Sequence, residues 1–148
     1  MRILTNDHCL IIEDVPLPPS DNHLYINVNW GRGRASRVKS PEYKAWSETF
    51  DLCTRVHTKL CKDFIAKEAS ESSLLTVEIE IQMVYERFFT KRGTVRKLDA
   101  TNRLKAICDA LSRCIGIDDS HFWDVRIAKR VCSGNIKDSL KVVIKVCS

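Results

Sequence analysis

The sequence predicts an α+β domain, built from a small mixed β-sheet of about four strands and two main helices. Residues 75–83 alternate between apolar and polar side chains, as in a strand with one buried face. Residues 104–115 carry apolar side chains at intervals of three and four, the pattern of an amphipathic helix. Ser40-Pro41-Glu42 combines a capping serine, a proline and an acidic residue, which is typical of a helix start.

The other elements follow in chain order. Residues 9–15 form an apolar run that ends at prolines 16, 18 and 19, and residues 25–30 have extended character. After Ser40, apolar residues at helical spacing predict one long helix to about Lys67. Further strands are predicted for residues 123–127 and 140–146, with Gly134-Asn135 in the turn between them.

Composition sets the broad class of the protein. A chain of 148 residues, with 44% hydrophobic and 29% charged residues, is expected to form a single globular domain over residues 1–148. No apolar run is long enough for a membrane span or a signal peptide, so we expect a cytoplasmic protein with no membrane partner. The seven cysteines include no CxxC pair, which favours buried free thiols over disulfides or a zinc site.

Basic residues are concentrated in three clusters. The net charge of +5 is weak evidence for a nucleic-acid partner, but its distribution is more informative. One cluster spans residues 32–39, where the loop Gly31-Arg32-Gly33-Arg34 is either solvated or in contact with phosphates, and another spans residues 126–130. The remaining cluster precedes the helix at residues 104–115 and supplies our candidate DNA-binding residues, Lys91, Arg92, Arg96, Lys97 and Arg103.

Acidic residues lie at both ends of that same helix. Asp99 and Thr101 precede it, and Asp118 and Asp119 follow it after Gly116. Within this stretch Asn102, Lys105 and Asp109 recur at helical spacing and therefore share one face. If the chain after Gly116 runs back along the helix, the second acidic pair approaches Asp99.

Carboxylates brought together repel each other unless a proton or a cation is shared between them. Mg²⁺ commonly binds through one or two carboxylates and completes its shell with water and substrate phosphate. A metal site beside basic residues indicates a nuclease. Each acidic residue also has a structural interpretation: Asp99 as a helix cap, Asp118 and Asp119 as turn formers, and Asp109 as an ion-pair partner of Lys105.

The order of these residues resembles the RusA-type Holliday junction resolvases, whose core reads D-x-D-N-x-x-K-x-x-x-D-A-L and is followed about ten residues later by D-D. The matching positions are Asp99, Asn102, Lys105, Asp109-Ala110-Leu111 and Asp118-Asp119. Upstream, Pro18-Pro19-Ser20-Asp21-Asn22 is similar to the family's P-P-S-x-N turn. Thr101 stands where the family has its second aspartate.

The resemblance implies a Mg²⁺-dependent endonuclease, with Mn²⁺ as a substitute, that cuts four-way DNA junctions by paired symmetric cleavage. It also implies a homodimer with one active site in each subunit, and a phage or prophage origin. The implied catalytic residues are Asp99, Lys105 and Asp119; the metal ligands are Asp99, Asp118 and Asp119; and the supporting residues are Thr101, Asn102 and Asp109. The alternative is a protein of the same fold that binds junctions or other branched DNA without cleaving it, because Thr101 replaces a carboxylate.

Overall fold

A computed structural model describes residues 1–6, 8–20, 23–29, 31, 35–70, 73–96, 100–132 and 138–147. In these ranges the chain forms seven strands and four α-helices. The strands are β1 (Arg2–Asn6), β2 (Cys9–Pro16), β3 (Tyr25–Asn29), β4 (Ala35–Lys39), β5 (Leu74–Val84), β6 (Phe122–Cys132) and β7 (Ser139–Cys147). The helices are α1 (Pro41–Arg55), α2 (Thr58–Glu68), α3 (Tyr85–Phe88) and α4 (Leu104–Ile115).

Five strands form one mixed sheet in the order β1-β2-β7-β5-β6, in which β5 and β6 are parallel and the other pairs antiparallel. Strands β3 and β4 form a separate antiparallel hairpin. The α+β class and the mixed sheet are confirmed. The strands are more numerous than the predicted four or so, because the short strands β1 and β4 have no apolar alternation of their own and depend on pairing with β2 and β3.

The core lies between one face of the five-stranded sheet and the helices. Strand β5 buries Leu75, Val77, Ile79 and Ile81 on this face, and the apolar side of α4 packs into the same core cluster. The other face of β5 is polar, and there Glu78 accepts a hydrogen bond from Lys145 at 2.7 Å. The alternation in this segment therefore orients β5 as predicted.

The prediction of one long helix to Lys67 is wrong, because α1 ends at Arg55 and α2 begins at Thr58. Thr54 lies just before the break, and its hydroxyl donates to the carbonyl of Phe50 at 3.0 Å, a bond that bends helices. Val56 is 81% exposed, so it does not continue the buried stripe. The predicted helix start is confirmed, since the Ser40 hydroxyl accepts from the Tyr43 amide at 3.0 Å.

The stretch between β5 and α4, which carries the basic cluster that precedes α4 in the sequence, contains the short helix α3. None of the helices in the described ranges is long and apolar enough to cross a bilayer.

Candidate functional site

Helix α4 positions the site. Its apolar side is buried in the core through Ile107, Leu111 and Ile115, so its polar side faces away from the sheet. At its end Gly116 adopts a left-handed conformation (φ 77°), which glycine reaches without steric strain. The Ser112 hydroxyl then donates to the carbonyl of Ile117, so the chain after the helix turns back along it.

Three polar side chains form a connected network between α4 and α1. The Lys105 ammonium lies 3.3 Å from Oδ1 of Asp109, and the Tyr43 hydroxyl donates to Oδ2 of the same carboxylate at 3.2 Å. Both oxygens of Asp109 are therefore engaged, one by a neighbouring turn of α4 and one by α1. Tyr43 is fully buried, so the packing of its ring in the core fixes the position of its hydroxyl against Asp109.

The electrostatic environment connects this network to Asp119. The pKa of Lys105 is raised, first by the charge of Asp109, then by their hydrogen bond, with Tyr25 and Asp119 contributing less. Burial raises the pKa of the Cys108 thiol to about 11, and the charges of Asp119 and Asp109 add to the effect. Lys105 is thus cationic at neutral pH, and Asp119 is close enough to influence both side chains.

Asp118 and Asp119 lie at the start of a 3-10 turn over residues 119–121. Asp118 caps this turn, because its Oδ1 accepts from the Ser120 amide at 3.0 Å. Hydrogen bonding from the Ser120 side chain and, to a smaller extent, from this amide lowers the pKa of the Asp118 carboxyl. Asp119 is exposed, and it is the first residue of the turn that Asp118 stabilises. The structural interpretation therefore applies to Asp118, whose second oxygen is not part of the cap.

The β3–β4 hairpin covers the other side of Lys105. Tyr25 and Arg37, on paired strands, line a cavity of about 340 Å³ together with Leu24 and Lys105. The Arg37 guanidinium lies 4.8 Å from the centroid of the Tyr25 ring, a cation–π geometry. Sequence reasoning assigned these two residues to a strand and a basic cluster, and no local pattern places them beside Lys105.

The family model described as endodeoxyribonuclease RusA matches residues 16–146, nearly the whole chain. The chain belongs to the RusA endodeoxyribonuclease family. It is therefore a hydrolase that acts on DNA, in a family that acts on Holliday junctions and depends in general on divalent metal ions. A comparison with individual curated proteins finds no match.

The predicted metal ligands of this RusA-family protein are described in part. Asp99 lies outside the described residues, as does Lys97 among the DNA-binding candidates. Within the described ranges no group of three or more His, Cys, Asp or Glu side chains has the arrangement of a metal site. Asp118 and Asp119 still offer solvent-accessible carboxylate oxygens, which fit a hard cation that keeps most of its shell for water and phosphate.

Thr101 and Asn102 precede α4 in a 3-10 turn over residues 101–103. The N-cap residues are Ala100 for this turn and Arg103 for α4, and neither makes a side-chain capping bond. Thr101 is therefore the first residue of this 3-10 turn and is not the N-cap residue of either element. The exposed Thr101 and the half-buried Asn102 instead form the approach to the first turn of α4.

The described DNA-binding candidates differ in their surroundings. Lys91 and Arg92 are exposed in a tight loop, while Arg96 is exposed but donates to the carbonyl of Phe89 at 2.9 Å. Arg103 is half-buried and donates to the carbonyl of Pro18 at 3.0 Å, which connects the Pro18-Pro19-Ser20 turn to the start of α4. Lys91 and Arg92 thus have the exposure that phosphate binding requires, whereas Arg103 has a structural contact.

Proposed function

We propose that this RusA-family protein resolves four-way DNA junctions by paired, symmetric hydrolysis of phosphodiester bonds, with Mg²⁺ as its cofactor and Mn²⁺ as a substitute. The observation that carries the proposal is the cationic Lys105 on α4, paired with Asp109, which also accepts from Tyr43 of α1. Lys105 lies in the same electrostatic environment as the exposed Asp119. A fixed positive charge beside an accessible carboxylate is the arrangement that metal-assisted phosphodiester cleavage needs.

Asp119 and Asp118 would hold the cation, together with Asp99 from the segment before α4. When bound, a divalent cation lowers the pKa of its water and polarises a phosphoryl oxygen. Asp118 would be a secondary ligand of the cation, because one of its oxygens already accepts from the Ser120 amide. This hydrogen bond stabilises the turn that carries Asp119. Asp119 is therefore the principal ligand among the described residues.

Lys105 would stabilise negative charge on the phosphate in the transition state. Its ion pair with Asp109 supports this role in two ways. The pair raises the pKa of the ammonium, which keeps it charged, and it restricts the position of a long flexible side chain. Asp109 and Tyr43 then act as positioning residues, and Asn102 supports the first turn of the helix.

Bound DNA would follow the basic surface near the site. Arg37, which packs on the Tyr25 ring beside Lys105, and the exposed residues Lys91 and Arg92 provide the positive charge for the phosphate backbone. The protein would act as a homodimer in the cytoplasm, because a twofold-symmetric junction is cut on opposing strands by two sites related by a twofold axis.

A synthetic four-way junction with labelled strands tests the proposal directly. We expect symmetric nicks in two opposing strands with Mg²⁺ or Mn²⁺, and none when the metal is chelated. The control is a linear duplex of the same sequence, which we expect to remain largely intact. Binding of the junction without cleavage at any Mg²⁺ or Mn²⁺ concentration would contradict the enzyme proposal and favour the binding protein.

Thr101→Asp should preserve or increase Mg²⁺-dependent cleavage. The substitution restores a carboxylate at the position of the family's second aspartate, which strengthens electrostatic attraction for the cation. The measurement is the Mg²⁺ concentration that gives half-maximal cleavage, which should fall. Thr101→Asn is the matched control of similar size without charge, and it should leave that concentration unchanged. If Thr101→Asp folds normally but no longer cleaves, the site does not accept a carboxylate at this position.

A further inference from the structure

Strand β6 is the parallel edge of the five-stranded sheet. Within the described residues it pairs with β5 alone, so its outer side carries backbone donors and acceptors along eleven residues. A long edge of this kind is a template for pairing with another strand. The opposite edge, β1, is only five residues long.

The side chains of β6 are unusual for a solvated edge. Trp123 is 74% exposed and Val131 is 53% exposed, so two large apolar side chains lie near the two ends of the strand. Phe122 pairs with Leu75 and Asp124 pairs with Thr76, which leaves Trp123 as an extra residue at a bulge. Bulges redirect side chains, and this one presents the indole to solvent.

We propose that the edge of β6 is the dimer interface, where it pairs antiparallel with β6 of a second copy about a twofold axis at Ile127. In this register Trp123 lies opposite the second copy's Val131, and Asp124 lies opposite its Arg130. By symmetry each contact forms twice. Opposite charges and apolar pairs across neighbouring strands are stabilising, so one strand supplies both halves of a self-complementary edge.

Neighbouring registers lack this complementarity. Centring the axis on Arg126 places that arginine opposite itself, and centring it on Ala128 places Arg126 opposite Arg130. Like charges directly opposite each other are destabilising. Shifts that pair odd with even residues place the polar face of one sheet beside the apolar face of the other. Of the registers centred on Arg126, Ile127 and Ala128, the charges of β6 therefore favour the one centred on Ile127, in addition to protecting the edge from indiscriminate pairing.

This interface rests on the proposed function, and it determines how the two active sites of the homodimer are arranged. Asp119 lies three residues before the first residue of β6, so a twofold axis at Ile127 places the two copies of Asp119 at opposite ends of the joined edges. The two sheets become one continuous sheet, with one active site beside each end of the central strand pair. Each site then meets one of two symmetry-related strands of a junction.

Charge exchange tests the interface in the absence of DNA. We expect the wild type to sediment as a dimer at micromolar concentration and Asp124→Arg and Arg130→Asp each to sediment as monomers, because each variant places like charges opposite each other. An equimolar mixture of the two variants should recover the dimer, since one chain then carries two arginines and the other two aspartates at these positions. Recovery on mixing also shows that both variants are folded.

The matched control is Arg2→Asp on the opposite edge. Arg2 and Arg130 have side chains that are 68% and 64% exposed, and each forms an ion pair with an acidic residue of the neighbouring strand. Arg2→Asp makes the same change of charge and should leave the dimer intact. Trp123→Ser should raise the dimer dissociation constant by about tenfold, and Leu52→Ser, at a similarly exposed apolar residue on α1, should not.

The outcomes separate the two proposals. If the wild type is a dimer and both charge variants remain dimers, the interface is wrong while the homodimer stands. A monomeric wild type overturns both the interface and the homodimer, and junction cleavage is then judged by its own assay. If Trp123→Ser remains a dimer but loses junction binding, Trp123 contacts DNA and the apolar part of the interface is wrong.

Discussion

Asp119→Asn is expected to abolish cleavage of a four-way junction while leaving junction affinity equal or slightly higher. The amide keeps the shape of the side chain but removes the charge that would hold a divalent cation. Affinity is maintained because the substitution also removes repulsion between the carboxylate and the DNA phosphates. Cleavage and binding should be measured on the same labelled junction, the latter in Ca²⁺ or without metal.

The matched control for Asp119 is Asp63→Asn, which makes the same change at an exposed carboxylate of α2, on a different cavity of the protein. It should cleave like the wild type. Asp118→Asn should weaken cleavage less than Asp119→Asn, because Asn also caps a turn through its side-chain oxygen. Cleavage by Asp119→Asn at the wild-type rate would refute the assignment of Asp119 as a metal ligand.

Lys105→Met should lower the cleavage rate by about 100- to 1,000-fold, the range found when one electrostatic donor to a transition state is removed. Methionine keeps most of the length of the side chain and its apolar contacts but carries no charge. The decrease should appear in single-turnover cleavage, with the enzyme in excess of the junction and above the dissociation constant, because the lost interaction belongs to the transition state. The matched control is Lys59→Met on α2, where an exposed lysine loses the same charge.

The pH dependence provides a second test of Lys105. Since Asp109 raises the pKa of Lys105 above its ordinary value, the cation is fully present at neutral pH and is lost only as the pH rises through the raised pKa. Wild-type cleavage should therefore show no decrease from lysine deprotonation between about pH 7 and pH 9. Asp109→Asn should shift this alkaline limit to lower pH and lower the rate less than Lys105→Met. An unchanged alkaline limit would show that Asp109 does not control the charge of Lys105.

Several elements follow from local patterns in the sequence. The alternation in β5, the apolar stripe of α4 and the capping serine of α1 are all satisfied within a few neighbouring residues, so sequence spacing predicts them. The order of Asp, Asn and Lys around α4 likewise indicated the family, which the match over residues 16–146 confirms. Gly116, which permits the return of the chain along α4, is also a local signal.

Other features depend on residues that are distant in the chain. The Tyr43 hydroxyl donates to Asp109, which lies 66 residues further along the chain. Tyr25 and Arg37 line a cavity with Lys105 only because the β3–β4 hairpin lies against α4. The break between α1 and α2 was missed because the apolar stripe continues on both sides of it.

By itself, the sequence determined the helix that carries Lys105, the turn that carries Asp119 and the family to which the chain belongs. Local periodicity and capping chemistry act over a few residues and can be read along the chain. Only the tertiary structure decided that Asp109 is bound from both sides, that Arg37 lies beside the site and that β6 is an edge. Those properties depend on which segments pack or pair with each other, and burial of the shared core, rather than local spacing, fixes that choice.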